Sequence, residues 1–320
     1  MSKSIKQKKF LSSSGANSLD KIYHSRSPAK INLHLDVLGL RKDGYHEIRT
    51  IYQSISLSDE IEFEPCKNEI SLNCDDKRIP ADETNLAFKS AKLLKDFSKA
   101  KKGVRIKLLK KIPSEAGLGG GSSNAAVTLF SLNKLWKLNL PLETLLLLAS
   151  KIGSDVPFFL IGGTAIGVGR GEEVYPLKDI SRKTILLIYP DEKVNTKEAY
   201  QKIDRVLTEG KSSFKISSIA FNLEAGFFRS EDMFNRFEEV VFESYERIKD
   251  LREEMVKCGL KGAMMSGSGS TLFAILRDKK EASSILKMLK NKSRWAIATT
   301  LNRKNYFKFI TPTLKKEIVR

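Results

Sequence analysis

The stretch from Pro113 to Ala126, PSEAGLGGGSSNAA, narrows what this chain can fold into more than any other. Four glycines (Gly117, Gly119, Gly120, Gly121) sit among small and hydroxyl residues, and a helix-like pattern follows at once. VRIKLLKKI, just upstream, reads as a strand from its β-branched residues and partial alternation. A strand, a glycine-rich turn and a helix start form a cradle for phosphate. Glycine lets backbone N–H groups approach an anion, and the helix N-terminus adds unpaired donors and a favourable dipole. An ordinary loop capped by Ser122 or Ser123 is the plainer alternative.

Other phosphate-loop designs do not fit. A Walker A loop ends in Gly-Lys-Ser/Thr, five residues after its first glycine. The chain's Gly210-Lys211-Ser212 has Arg205 where that glycine belongs. A dinucleotide fingerprint fails because Gly119-x-Gly121 is followed by Asn124. The H-R-D and D-F-G motifs of protein kinases are absent.

With 320 residues, two domains is the better prior. The net charge of +18 first suggests nucleic acid or a membrane surface. Residues 1–26 and 303–320 each contribute +5, however, leaving +8 for the long middle. Basic ends and a lysine-rich surface account for most of the excess, and an anionic small substrate would benefit from the rest. No RNA-stacking motif interleaves aromatics with the charge. Cys66, Cys74 and Cys258 have no C-x-x-C spacing and read as packing residues in a reducing compartment. No window is apolar for long enough to span a bilayer. The lysine-rich N-terminus has no apolar h-region, so a disordered extension of a cytoplasmic, bacterial-type protein is favoured over an organelle-targeting segment.

The pattern predicts strands at Ser27–Leu40, Ile48–Leu57, Glu60–Glu64, Ile70–Cys74 and Val104–Leu109. Helices are predicted at Asn85–Phe97, with Thr84 or Asn85 as cap, and at Ser123–Leu138 and Leu142–Ile152. Gly162–Gly171 reads as a turn or a pair of short strands, and Thr184–Tyr189 as a strand. Residues 190–260 read as mainly helical around a charged loop near Glu209–Lys215. A second glycine turn at Lys261–Gly269 precedes a strand at Thr271–Leu276, a helix at Glu281–Lys290 and a strand at Trp295–Thr300. The fold class is α+β in two lobes, 27–180 and 181–302, with a disordered segment at 1–26 and a basic tail at 303–320.

Four further segments carry candidate chemistry. Lys30 lies in the apolar run SPAKINLHL, either as a strand-edge charge or as a group pointing into a cleft. Asp155 lies in GSDVPFFL, where a plain turn aspartate is the simpler reading. Asp43-Gly44-Tyr45-His46 is a turn followed by an aromatic and an imidazole. Met265–Ser270 is a second glycine/serine turn. His24 and His34 make no ligand spacing, and His34 reads as a strand-packing residue.

Together these segments resemble the GHMP kinase superfamily. Its P-x-x-x-G-L-G-S/G-S-S-A-like loop is matched by Pro113, Gly117, Leu118, Gly119, Gly121, Ser122 and Ser123, and its late glycine motif by MSGSGSTLF. SPAKINLHLDVLGLRKDGYHEI and GSDVPFF resemble the branch that acts on CDP-methylerythritol, and the likeness spans roughly residues 27–300. The resemblance implies two α+β lobes, the first ribosomal-protein-like, with the site in the cleft between them. It implies transfer of the ATP γ-phosphoryl group, with Mg²⁺, to the tertiary hydroxyl of CDP-methylerythritol in the non-mevalonate isoprenoid pathway.

Carried over by motif, Lys30 and Asp155 become catalytic. Asn32, Tyr45 and His46 contact the substrate, Tyr45 by stacking on the cytosine and His46 by bonding its edge. Asn85, Lys110, Pro113, Gly117, Leu118, Gly119, Gly120, Gly121, Ser122 and Ser123 contact ATP, with Ser123 a candidate Mg²⁺ contact. Gly267, Ser268 and Gly269 complete the cleft. No carboxylate pair identifies the metal ligands. Glu115 departs from the loop pattern, and a carboxylate beside a triphosphate is expected to face solvent.

Overall fold

The structure, a computed structural model, describes residues 21–207, 215–288 and 293–315. The first lobe is built on two long antiparallel strands, β1 (Tyr23–Leu40) and β2 (His46–Cys66), joined by the turn at 41–45. Register shifts fall between Pro28 and Lys30, between Asn32 and His34, and between Val37 and Gly39. Such irregularities bend a strand and re-aim its side chains. The first two bracket Lys30 and Asn32. β3 (Ile70–Cys74) runs parallel to β4 (Gly103–Leu109), which pairs with β2; β5 (Thr164–Val168) and β6 (Glu173–Pro176) extend the sheet beside the other half of β2.

Four helices pack with this sheet: α1 (Leu86–Ser98), α2 (Gly120–Leu135), α3 (Leu142–Ile152) and α4 (Phe158–Ile161). Phe63, Leu94, Leu129, Leu132, Phe158 and Phe159 are buried in their shared core. α1 begins where Asn85 accepts a hydrogen bond from the Ala87 amide, as an asparagine cap does.

The chain then enters a second antiparallel sheet through β7 (Thr184–Tyr189). α5 (Thr196–Leu207), α6 (Lys215–Glu224), β8 (Phe234–Asn235), α7 (Phe237–Ser244) and α8 (Glu246–Lys257) follow. β9 (Met264–Met265), β10 (Leu272–Leu276), α9 (Lys279–Met288) and β11 (Arg294–Thr299) complete a sheet of order β11-β7-β10-β9. The lobes share a core: Ile31, Leu33 and Ile51 of the first pack in one cluster with Leu187, Phe273 and Ala298 of the second. β8 also pairs with β1 at His34 and Leu35.

Three expectations are corrected. Residues 1–20 lie outside the described residues, but Tyr23–Arg26 belong to β1 rather than to a disordered segment. Residues 303–315 are not a tail. α10 (Arg303–Ile310) packs Tyr306 and Ile310 into the first lobe's core, and β12 (Thr313–Leu314) pairs with the start of β1. Their basic residues hid an apolar spacing with one face to bury. The two strands expected at 48–64 are one, because Ser58 and Asp59 continue the ladder opposite Pro28 and Ser27. The charged loop near Glu209–Lys215 falls largely outside the described residues. Among those described, no helix is long and apolar enough to cross a membrane, and all three cysteines are free.

Tyr306 tests the role assigned to α10. It is fully buried, its hydroxyl donates to the Phe159 carbonyl at 2.5 Å, and its ring fills the space beside Gly162. Tyr306→Ala is expected to lower the unfolding free energy by about 3–5 kcal/mol in denaturant titration. A change near zero would restore the reading of a dispensable tail.

Candidate active site

The glycine loop is conformationally committed. Gly117 has φ +75° and Gly119 φ +67°, backbone that L side chains rarely adopt. A β-carbon on Gly117 would also lie 1.9 Å from the Ser266 carbonyl oxygen of the other lobe. α2 starts immediately after Gly119 with no side-chain cap, so its first-turn amides are not claimed by a capping side chain. With the helix dipole, they favour an anion at this end.

At the other side of this loop, Lys30 is almost completely buried and its ammonium lies 3.5 Å from Asp155 Oδ2. Lys30 donates to Asn32 Oδ1 at 2.7 Å, and Asn32 in turn donates to Thr50 Oγ1 at 2.7 Å. Both ends of the Asn32 amide are thus occupied within the protein, and Asn32 acts on Lys30. Tyr52, opposite Asn32 in the β1–β2 register, donates its hydroxyl to Asp155 Oδ1 at 2.9 Å. Burial, then the neighbouring Asp155 charge, push the Tyr52 phenol well above its ordinary range, so it stays a proton donor. Asp155 is therefore held through one oxygen, and the other faces Lys30.

Two cavities meet at the loop. One, of about 650 Å³, is lined by Lys30, Asn32, Tyr45, His46, Asp155, Gly267, Ser268 and Gly269. The other, of about 750 Å³, is lined by Asn85, Lys110, Pro113, Gly120, Gly121 and Ser122. Gly117, Gly119 and Glu115 border both. A third, of about 810 Å³, lies along residues 178–183 and 222–229 and touches neither glycine turn.

At the rim of the first cavity, Tyr45 is half exposed and the Arg170 guanidinium lies 4.6 Å from its ring centroid. The His46 ring stacks on Tyr200 at 4.5 Å, and its Nε2 is 2.8 Å from Asp204 Oδ1. On the second cavity's side, the fully buried Asp59 carboxylate accepts from the Lys110 ammonium. It also accepts from the amides of Lys111 (2.7 Å) and Ile112 (2.8 Å) and from Asn124 Nδ2 (2.9 Å). Lys110 is thus pinned beside the start of α2.

Two expected contact residues turn inward. The Leu118 side chain is buried in the interlobe core, while its carbonyl accepts from the Lys30 amide. Ser123 is fully buried: its hydroxyl donates to the Pro28 carbonyl and accepts from Ser27, each at 2.7 Å. Helical period puts Gly121 and Ser122 outward and Ser123 against β1, so Ser123 Oγ does not face the cavity where a metal was expected. Glu115 is exposed and pairs with Lys193 at 2.8 Å, which offsets its charge near the loop.

Sequence reasoning missed Tyr52, Asp59, Tyr200, Asp204 and Glu238. Tyr52 had a weak signal, a polar atom inside a strand pattern, whereas Asp59 fell in the gap between two predicted strands. The others lie on helices whose partners are remote in sequence. Among the described residues, no cluster of three or more His, Cys, Asp or Glu could hold a metal ion.

A glycine turn from each lobe, an uncapped helix start between two cavities and a lysine–carboxylate pair lining one of them describe a small-molecule kinase of the GHMP type. Residues 85–163 match the GHMP kinases N terminal domain and residues 222–294 the GHMP kinases C terminal domain. A 4-diphosphocytidyl-2-C-methyl-D-erythritol kinase of Clostridium botulinum (strain Eklund 17B / Type B) is 41% identical over 82% of this chain and 94% of its own. A crystal structure of 4-(cytidine 5'-diphospho)-2C-methyl-D-erythritol kinase superposes with TM-score 0.74 at 32% identity, covering 87% of this chain and 98% of that one. A homoserine kinase from Cytophaga hutchinsonii, 17% identical, shares the fold with TM-score 0.70, covering 96% of this chain and 99% of its own. The chain belongs to the 4-diphosphocytidyl-2-C-methyl-D-erythritol kinase family of GHMP kinases.

Glu238, on α7, supports the second glycine turn from below. Its Oε1 accepts from the Met265 amide at 2.6 Å. Burial raises its carboxyl from 4.5 to about 7, against the opposing effects of that amide and of Arg252. Between those values the folded state binds more proton than the unfolded one. Stability therefore falls as pH rises from about 4.5 to about 7, by on the order of 3 kcal/mol. Glu238→Gln is expected to flatten that part of the profile. Denaturant unfolding of both proteins at about pH 5 and about pH 8 checks it; parallel profiles would refute it.

Proposed function

We propose that this chain transfers the γ-phosphoryl group of ATP to the tertiary 2-hydroxyl of 4-diphosphocytidyl-2-C-methyl-D-erythritol, giving the 2-phosphate and ADP. The observation that carries this reading is the placement of Lys30 and Asp155 in one cavity, directly beside the glycine loop that borders the other. The names of the relatives at about 40% identity support the choice of acceptor. The donor triphosphate occupies the second cavity, with its phosphates toward Gly117–Gly121 and the first amides of α2. Asn85, Lys110 and Ser122 line its walls. The acceptor occupies the first cavity, its cytosine beside Tyr45 and His46.

Phosphoryl transfer asks for positioning and charge stabilisation more than for covalent chemistry. Asp155 Oδ2, not engaged by Tyr52, accepts the hydroxyl proton as the oxygen attacks phosphorus; the bond to the β-phosphate oxygen breaks and ADP leaves. Lys30, shielded from water, offsets negative charge on the attacking oxygen and the transferring group, where low dielectric strengthens its effect. Tyr52 keeps the carboxylate oriented, and Asn32 keeps the ammonium in place. Mg²⁺ bound with ATP would neutralise phosphate charge; among the described residues no cluster of three or more His, Cys, Asp or Glu could hold it.

The test is ADP release with ATP, Mg²⁺ and the proposed acceptor, beside mevalonate, homoserine and no-acceptor controls. Turnover only with the cytidine substrate supports the reading; turnover only with another alcohol overturns the acceptor assignment. Asp155→Asn preserves shape and the hydrogen bond from Tyr52. It is expected to lower kcat by about 100-fold or more while acceptor affinity, measured by calorimetry, stays within about threefold. Unchanged turnover in a folded variant would remove Asp155 from the mechanism.

A further inference from the structure

The phosphoryl chemistry does not use the contact between His46 and Asp204, which joins the first residue of β2 to α5 of the other lobe. An ionised carboxylate only accepts hydrogen bonds, so the 2.8 Å contact places the imidazole hydrogen on Nε2. In the neutral ring the other nitrogen, Nδ1, is then a bare acceptor. The ring is held as well as polarised. It stacks on Tyr200 at 4.5 Å with 27° between planes, and Tyr200 meets Phe237 edge-on at 4.8 Å. Tyr200 and Asp204 lie four residues apart on α5 and so share one face. The His46 side chain is only 11% exposed, which limits its exchange of partners with bulk water.

This geometry bears on which pyrimidine the cavity accepts. Cytosine presents an amino donor at C4, where uracil presents a carbonyl acceptor. A bare Nδ1 pairs with the first and opposes the second. We propose that Asp204 is the positioning residue for base specificity. It locks His46 in the Nε2–H tautomer, so that Nδ1 accepts from the amino group of a cytidine diphosphate and rejects its uridine counterpart. The inference rests on the acceptor assignment above and adds to it the residue that enforces the choice.

Calorimetric affinities for CDP-methylerythritol and UDP-methylerythritol, measured on the full chain without ATP, test it independently of turnover. The wild-type protein is expected to favour the cytidine compound by roughly tenfold or more, because a mismatched buried hydrogen-bonding group discriminates strongly. Asp204→Leu is expected to bring the ratio within about threefold, whereas Asp204→Asn, whose Oδ1 still accepts from Nε2–H, is expected to keep most of the preference. ¹⁵N spectra of the imidazole are expected to show Nδ1 unprotonated in the wild type and mixed tautomers in Asp204→Leu. A wild-type ratio retained in folded Asp204→Leu overturns the role of Asp204. Tight binding of both compounds by the wild type, without preference, overturns base selection itself. Binding of neither overturns the acceptor assignment and the inference with it, and is told apart by the missing heat rather than by an unchanged ratio.

Discussion

The Ser266 carbonyl occupies the space that a β-carbon on Gly117 would need, and Ser266 Oγ donates to the Gly117 carbonyl at 3.0 Å. That approach brings a turn from each lobe into contact, and both cavities take their shape from it. With a larger residue at 117 the lobes would have to part, and Lys30 would lose its wall. Gly267 closes the same junction: it has φ +59°, and a β-carbon there would lie 3.2 Å from the Gly117 carbonyl oxygen. The site thus depends on the absence of side chains as much as on their presence.

Around this junction the protein buries charge and matches it. Asp59 collects four donors beneath the donor cavity, and Arg236 pairs with Asp36 at 2.9 Å with both side chains nearly inaccessible. A buried charge with its full set of partners adds little net stability compared with an apolar replacement, but removing one partner is costly. The arrangement therefore acts mainly on geometry. Asp59 holds the Lys110–Ile112 segment against α2, and Asp36 holds the start of α7, which carries Glu238 to the second glycine turn. The catalytic pair lies between these supports, with Tyr52 and Asn32 orienting its two members.

Much of the first lobe could be read along the chain, because its elements announce themselves locally. Asn85 before an amphipathic run is a helix cap whatever surrounds it. PSEAGLGGGSSNAA is a strand-to-helix turn from its glycines alone. The misreadings share a cause in long-range packing. The basic residues of 303–315 masked a helix whose buried face is complementary to a core built from the first lobe, where Tyr306 meets Phe159 from 147 residues away. Asp59 looked like a break between two strands because a buried carboxylate is unfavourable until its four donors, most of them some 50 residues downstream, are in place.

The residue types of the site were determined by the sequence itself: a glycine turn able to take positive φ, a lysine in an apolar strand, an aspartate before a proline, an aromatic and an imidazole after a hairpin turn. These are local properties of backbone and side-chain chemistry. Tertiary structure alone decided which of them meet. It turned Ser123 and Leu118 inward by helical period and core packing, and set Tyr52 on one oxygen of Asp155. It also brought Asp204 from 158 residues away to hold one nitrogen of His46. A hydrogen bond acts over about 3 Å, and only the folded chain brings such distant residues that close.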